Sequence, residues 1–311
     1  MQSAFQNLIH MQAQWLFLHQ QDSFDDAELV AELRQYPLHI YLIGKTPVIR
    51  LEVSKTLISP RSVSLTFVSN VSGVRKEMTI EMVNDRDIVR IDCPYPHNFV
   101  TGFDSTGKEV FLSKASLLLK YLSAQRGLWH NEFELEVLYV GQAFGKNGSR
   151  ITVDRLKSHD KAQRIYFDTQ QKFPDYEVWF VGITFRPLLM TMFKPWGDVD
   201  PAKFEDELAE QEAINTTPIS FDQRVTLAEA SLIRYFNTYR YNKEYLNFPS
   251  QEHKSYGEVY ALDFNSAGFE LSTHSLYIKL FSESVPASFV HCGTYFLQGH
   301  TERKSMLKWF E

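Results

Sequence analysis

Cysteine is scarce. Cys93 and Cys292 are the only two in 311 residues, and they form no C-x-x-C pair, so no disulfide framework can be drawn and a reducing compartment is expected. No apolar run approaches the length of a membrane span, and the N-terminus lacks the charged-then-apolar layout of a signal peptide, which makes the cytoplasm the expected location. An excess of positive charge is missing too. The formal net charge of −6 argues against a protein that coats nucleic acid through a uniformly basic surface, while leaving room for a local basic cleft. The ten histidines are scattered, with no H-E-x-x-H and no cysteine at ligand spacing, which argues against a structural zinc site. There is no internal repeat and no low-complexity tract.

What remains is a globular composition, 44% hydrophobic and 23% charged, in a chain long enough for two domains or one domain with appendages. Residues 1 to 36 read as helical: Phe5, Leu8, Ile9 and Gln12 lead into Trp15, Leu16 and Leu18, and Asp22 to Asp26 precede a second short helix ending before Pro37. From Leu38 to Leu112 short β-branched runs such as HIYLIG, VIRLEV and SVSLTFVS alternate with Gly, Pro, Asn and Asp, the pattern of an antiparallel meander or small barrel. A helix over Lys114 to Arg126 follows, with Gly127 as its C-cap. β-texture returns after Pro249. The expected division is therefore an N-terminal helical then β-rich module over 1–126, an α/β core over 127–250 and a C-terminal β-rich extension over 251–311. The fold class expected is mixed α/β (α+β), with the β-rich flanks lying outside the core sheet and offering a surface to a protein partner or a second copy.

The core holds the unusual residues. A strand over Phe133 to Gly141 runs into a glycine-rich loop, GQAFGKNGS, and then a helix starting near Thr152. The loop contains Gly-Lys but lacks the spacing of a nucleotide-triphosphate loop; its glycines would let backbone amides approach a phosphate at a helix N-terminus. At about 100° per residue, Arg155, His159, Ala162 and Tyr166 share one arc of that helix, while Asp154, Lys157, Asp160 and Lys161 supply a solvated face. DYEVWFVGITF, Asp175 to Phe185, reads as a buried strand, and Pro187 to Phe221 as an insertion with an acidic, solvated helix. In a later helix Glu229 lies in the middle of an apolar arc completed by Leu232, Ile233 and Phe236. A carboxylate on a buried face needs a partner, and a metal ion is a good one.

These residues resemble the GIY-YIG nuclease family. Tyr139-Val140-Gly141 is similar to the YIG tripeptide, Arg155 and His159 match its R-x-x-x-H pair, Glu229 matches the metal-binding Glu and Asn242 the Asn that follows it. The match covers roughly a third of the chain, and the order and helix phase of the motifs carry it rather than any one of them. One departure stands out. The family's GIY motif is expected some ten residues before YIG, and the candidate there, Gly127-Leu128-Trp129, has Trp where the catalytic Tyr belongs.

The resemblance implies a divalent-metal-dependent endonuclease that hydrolyses DNA, DNA being preferred to RNA, with Mg²⁺ or Mn²⁺ on Glu229. It also implies catalytic roles for Tyr139, Arg155, His159 and Glu229, and substrate contacts from Gly141, Lys157 and Asn242. The family's habits associate such a nuclease with genome defence or mobile elements. Plainer readings stand beside these. Thr226-Leu227-Ala228-Glu229 fits a capping box, Arg155 and His159 fit an exposed helix edge, and Tyr139 fits a core aromatic with its hydroxyl at a polar rim. The rival for the whole chain is an inactive nuclease-fold module that binds nucleic acid or assembles with protein.

Overall fold

The computed structural model describes residues 5–35, 37–143, 160–193, 204–216, 219–250, 252–261 and 264–297. Seven strands build one sheet: β1 (Phe5–His19), β2 (Ile40–Pro47), β10 (Glu134–Gln142), β11 (Tyr176–Phe193), β12 (Ser266–Ser272), β13 (Lys279–Phe281) and β14 (Val290–Phe296). Their order across the sheet is β13-β10-β2-β11-β1-β12-β14. β2 is antiparallel to both β10 and β11, whereas β1 with β12 and β10 with β13 are parallel pairs. The chain is mixed α/β, as expected. The sheet nevertheless crosses both expected boundaries, because strands from the N-terminal, central and C-terminal thirds pair edge to edge.

Phe5–His19 is the clearest correction: a strand stands where the spacing predicts a helix. Ile9, Met11 and Ala13 face one core, and Leu16 and Leu18 face the same core after a register shift between Ala13 and Trp15. The extra residue of this β-bulge flips the parity of every later side chain. A two-residue period with one slip places apolar residues three and four apart, which mimics a helix. The HIYLIG run is also reassigned. It is β2, a central strand of the main sheet, buried on both faces, with Ile40 and Leu42 in one core and Tyr41 and Ile43 in the other.

Both faces of the sheet are covered. α5 (Phe221–Phe236) packs Leu227, Leu232, Ile233 and Phe236 onto Leu42, Val140, Val181 and Ile183. On the opposite face α1 (Ala27–Gln35) and α3 (Asp160–Lys172) bring Leu33, Ala162 and Ile165 to Tyr41, Ile43, Val178 and Phe180. β11 extends beyond the expected Phe185 to Phe193, and the acidic helix of the insertion is α4 (Phe204–Thr216). Among the described residues no helix is long and apolar enough to cross a membrane.

Between β2 and β10 the chain makes an excursion with its own core: β3 (Ile49–Leu51), β4 (Leu57–Ile58), β5 (Ser62–Val71), β6 (Val74–Val83), β7 (Ile88–Asp92), β8 (Phe99–Asp104), β9 (Glu109–Lys114) and α2 (Ala115–Gln125). This is the expected β-rich module. α2 ends where Gly127 adopts φ +64°, and there Gly127 and Leu128 donate backbone hydrogen bonds to the carbonyls of Ala124 and Ser123, the left-handed cap that glycine adopts without strain.

One buried charge joins the module to the sheet. Lys120 of α2 is 5% exposed, with Nζ 5.2 Å from the Trp179 ring and 5.9 Å from that of Phe133. Burial lowers its pKa to about 8, against an opposing pull from Glu177. A lysine whose folded pKa lies below its unfolded value binds fewer protons when folded, so its burial costs stability at neutral pH, and that cost disappears as pH rises from about 8 through the ordinary lysine range. Lys120→Met is therefore expected to stabilise the fold by roughly 1–3 kcal/mol at pH 7, with a smaller gain at pH 10. Urea melts of both proteins at the two pH values check the sign.

Candidate active site

The site is assembled around a second bulge. In β10 the register against β2 shifts between Val137 and Tyr139, so that Leu138 is the extra residue. Without it, Tyr139 would share the face of Leu135 and Val137 beneath α5. With it, Tyr139 and Gly141 turn to the α3 face, opposite Ile43 and Tyr41 respectively. Tyr139 is thus presented by a local backbone device rather than by simple alternation. Gly141 is there for close approach: a Cβ at that position would lie 2.6 Å from Tyr139 Cε1 and 2.6 Å from Tyr41 Cζ and its hydroxyl oxygen. Only a residue without a side chain lets the two tyrosines, ring centroids 6.0 Å apart, sit side by side.

Above these rings opens a cleft of about 400 Å³. Its floor is Tyr41, Tyr139 and Gln142. One wall is Glu229 and Ile233 of α5, another is Lys161 of α3, and the turn after α5 closes it with Tyr241, Asn242, Lys243, Glu244 and Tyr245. Residues from four separate segments of the chain meet there. Glu229 is 7% exposed and lies in the third turn of α5, which begins at Phe221. The capping-box reading therefore fails, because a residue so far from the helix start has no free N-cap amide to bond.

Asn242 acts on the site through the strand. Its Nδ2 donates to the Val140 carbonyl at 2.8 Å, and its Oδ1 accepts from the Val140 amide at 3.1 Å and from Thr238 Oγ1 at 2.8 Å. β13 pairs β10 only over Glu134 to Glu136, so the amide of Asn242 completes the strand edge that β13 leaves open. Asn242, which also lines the cleft, thus fixes the backbone between Tyr139 and Gly141. Next to it, the Tyr241 hydroxyl donates to Asp168 Oδ2 at 2.9 Å, tying the turn to α3. Burial, reinforced by that bond, pushes the Tyr241 hydroxyl up to about 12. The Tyr245 hydroxyl is also raised, by burial first, with the negative charge of Glu229 contributing.

No family model, curated protein or solved structure matches this chain. Its reading therefore rests on the residues themselves. Of those singled out in the sequence, Tyr139, Gly141, Glu229 and Asn242 lie at or directly behind this one cleft. Arg155, Lys157 and His159 lie outside the described residues. Lys161, assigned to the solvated helix face, lines the cleft instead. Trp129 is nowhere near it: its ring packs against Phe133, Tyr277 and Phe289, under the Lys279 ammonium. Tyr41 is the residue that sequence reasoning missed. A search ten residues ahead of Tyr139 cannot find it, because the whole β-rich module is spliced between β2 and β10, and only the His-Ile-Tyr texture of β2 marks it.

Among the described residues no group of three or more His, Cys, Asp and Glu converges, which does not suit an ion stripped of water, such as zinc. A cleft with one buried carboxylate, Glu229, and one exposed carboxylate, Glu244, among hydroxyls and an amide does suit a hard ion that keeps most of its water, as Mg²⁺ does. Glu229 would hold it.

Proposed function

We propose that this protein is a divalent-metal-dependent endonuclease that hydrolyses DNA phosphodiester bonds, with a GIY-YIG-like site. The observation that carries the reading is the convergence of Tyr41, Tyr139 and Glu229 on one cleft from strands and a helix nearly two hundred residues apart in sequence. Tyr41 on β2, paired directly with Gly141 at the end of Tyr139-Val140-Gly141 on β10, supports the reading further, since it supplies a tyrosine where Trp129 was expected to stand in for one.

When bound, a Mg²⁺ ion supplies Lewis-acid stabilisation of charge on the phosphate and its leaving oxygen. Glu229 anchors that ion. Tyr139, half-buried at the cleft floor, positions the attacking water through its hydroxyl, and the buried Tyr41 ring behind it fixes the angle. Arg155 neutralises charge developing on phosphorus, and His159, whose ordinary pKa lies near neutrality, takes the proton from water; both roles come from the resemblance. Lys161 draws the phosphate into the cleft.

Tyr139→Phe is expected to lower the single-turnover cleavage rate by about 10²–10³-fold, the order for losing one oriented hydrogen-bonding group at the reacting centre, with little change in substrate affinity. Tyr41→Phe should lower it less, because that hydroxyl is one layer removed. Rates measured at saturating enzyme on a labelled duplex check both. Equal rates in wild type and Tyr139→Phe would remove Tyr139 from the mechanism.

A further inference from the structure

Cations gather in and beside the cleft without forming an ion pair to any described residue. Lys161 and, one turn on, the exposed Arg164 stand on α3, while the exposed Arg240 and Lys243 stand on the turn that Tyr241 ties to α3. Lys161 and Lys243 line the cleft itself, and the Arg240 guanidinium lies 5.5 Å from the Tyr241 ring centroid. None of the four makes an ion pair with a described residue. Lys45, Lys55, Arg75, Lys76, Arg90 and Lys114, by contrast, each face a carboxylate; what sets the four apart is that they gather beside one cleft. Of the acids beside the four, Asp168 is held by the Tyr241 hydroxyl and by Lys172 at 3.5 Å and also feels the charge of Arg164, and Glu229 and Glu244 line the cleft with Lys161 and Lys243.

Three exposed cations and the half-buried Lys161 are thus gathered beside one cleft in a chain of net charge −6. Their arrangement decides what anion they suit. A single small anion is held by donors that converge in a buried pocket, whereas these are strung along α3 and the turn after α5, which suits a row of phosphates better than one. We propose that Lys161, Arg164, Arg240 and Lys243 form a rail that binds the backbone phosphates of DNA on either side of the scissile bond. The choice of polyanion rests on the nuclease reading; the rail itself does not depend on chemistry in the cleft.

The test is binding in a chelator, where no cleavage occurs. Fluorescence anisotropy of a labelled DNA duplex with EDTA, across a sodium chloride series, is expected to give a log–log slope of about −3 to −4, near one released counterion per cation. Arg164→Ala with Arg240→Ala should weaken binding roughly 10–100-fold at low salt and flatten the slope by about 2. Lys55→Ala, which removes a cation paired with Glu77 on the β-rich module, should change neither, and circular dichroism with thermal melts confirms that each variant is folded. Wild-type-like binding by the double variant, or no binding by wild type, would overturn the rail. Nicking assays with Mg²⁺ on the same proteins separate the two ideas. Rail variants that bind and cleave normally sink the rail and leave the nuclease. A wild type that binds through the rail but never cleaves keeps the rail and sinks the nuclease.

Discussion

Glu229→Gln is expected to lose Mn²⁺ uptake in a calorimetric titration while melting within a few degrees of wild type. The reasoning starts from its place in the helix. Glu229 lies well inside α5 and is 7% exposed, so the substitution removes no helix cap, and Gln keeps the shape and one acceptor oxygen. A neutral amide is easier to bury than a carboxylate, but it is a poor ligand for a hard divalent ion. Losing the ion removes its stabilisation of transition-state charge, so cleavage should fall by at least roughly 10²–10³-fold. A large drop in melting temperature with unchanged metal uptake would assign Glu229 to packing instead.

Asn242→Ala is expected to have the largest effect on stability. Val140 is fully buried, and both of its backbone polar groups depend on the Asn242 amide. Removing that amide leaves a buried N–H and a buried C=O without a partner, for a loss of roughly 2–4 kcal/mol. Asn242→Asp should be no better, since a carboxylate accepts from the Val140 amide but faces the Val140 carbonyl with like charge. Because Val140 lies between Tyr139 and Gly141, both variants should also lose cleavage, even at temperatures where they remain folded. Urea melts and rates measured well below the midpoint separate the two effects. An Asn242→Ala protein as stable as wild type would show that water replaces the amide at no cost.

Much of this site was legible in the sequence, for a physical reason. Glu229 is anomalous wherever it is met, as a carboxylate in the middle of the Leu232, Ile233 and Phe236 arc, and helix periodicity alone finds it. Tyr139 and Asn242 are picked out by the resemblance of their motifs to those of the GIY-YIG family. The central strand over Tyr176 and the helix at Ala115 are equally plain, because each keeps one period throughout. What was hidden lies where a period is interrupted. The β1 bulge at Gln14 turns a strand into a helix-like pattern, and the β10 bulge at Leu138 decides which face Tyr139 takes without leaving a mark in composition. Tyr41 was hidden by distance: its partner strand follows only after the β-rich module, and local spacing is blind to pairing across such an insertion. The cationic rim was hidden because Arg240 and Lys243 sit on a turn, where no periodicity tells which way a side chain faces.

The most direct test of the account is a time course of supercoiled plasmid nicking by wild type and Glu229→Gln, purified in parallel, with Mg²⁺, with Mn²⁺ and with EDTA. The account predicts nicks by wild type with either metal, none with EDTA, and none by Glu229→Gln under any condition. Equal nicking by both proteins, or none by wild type with either metal, would contradict it.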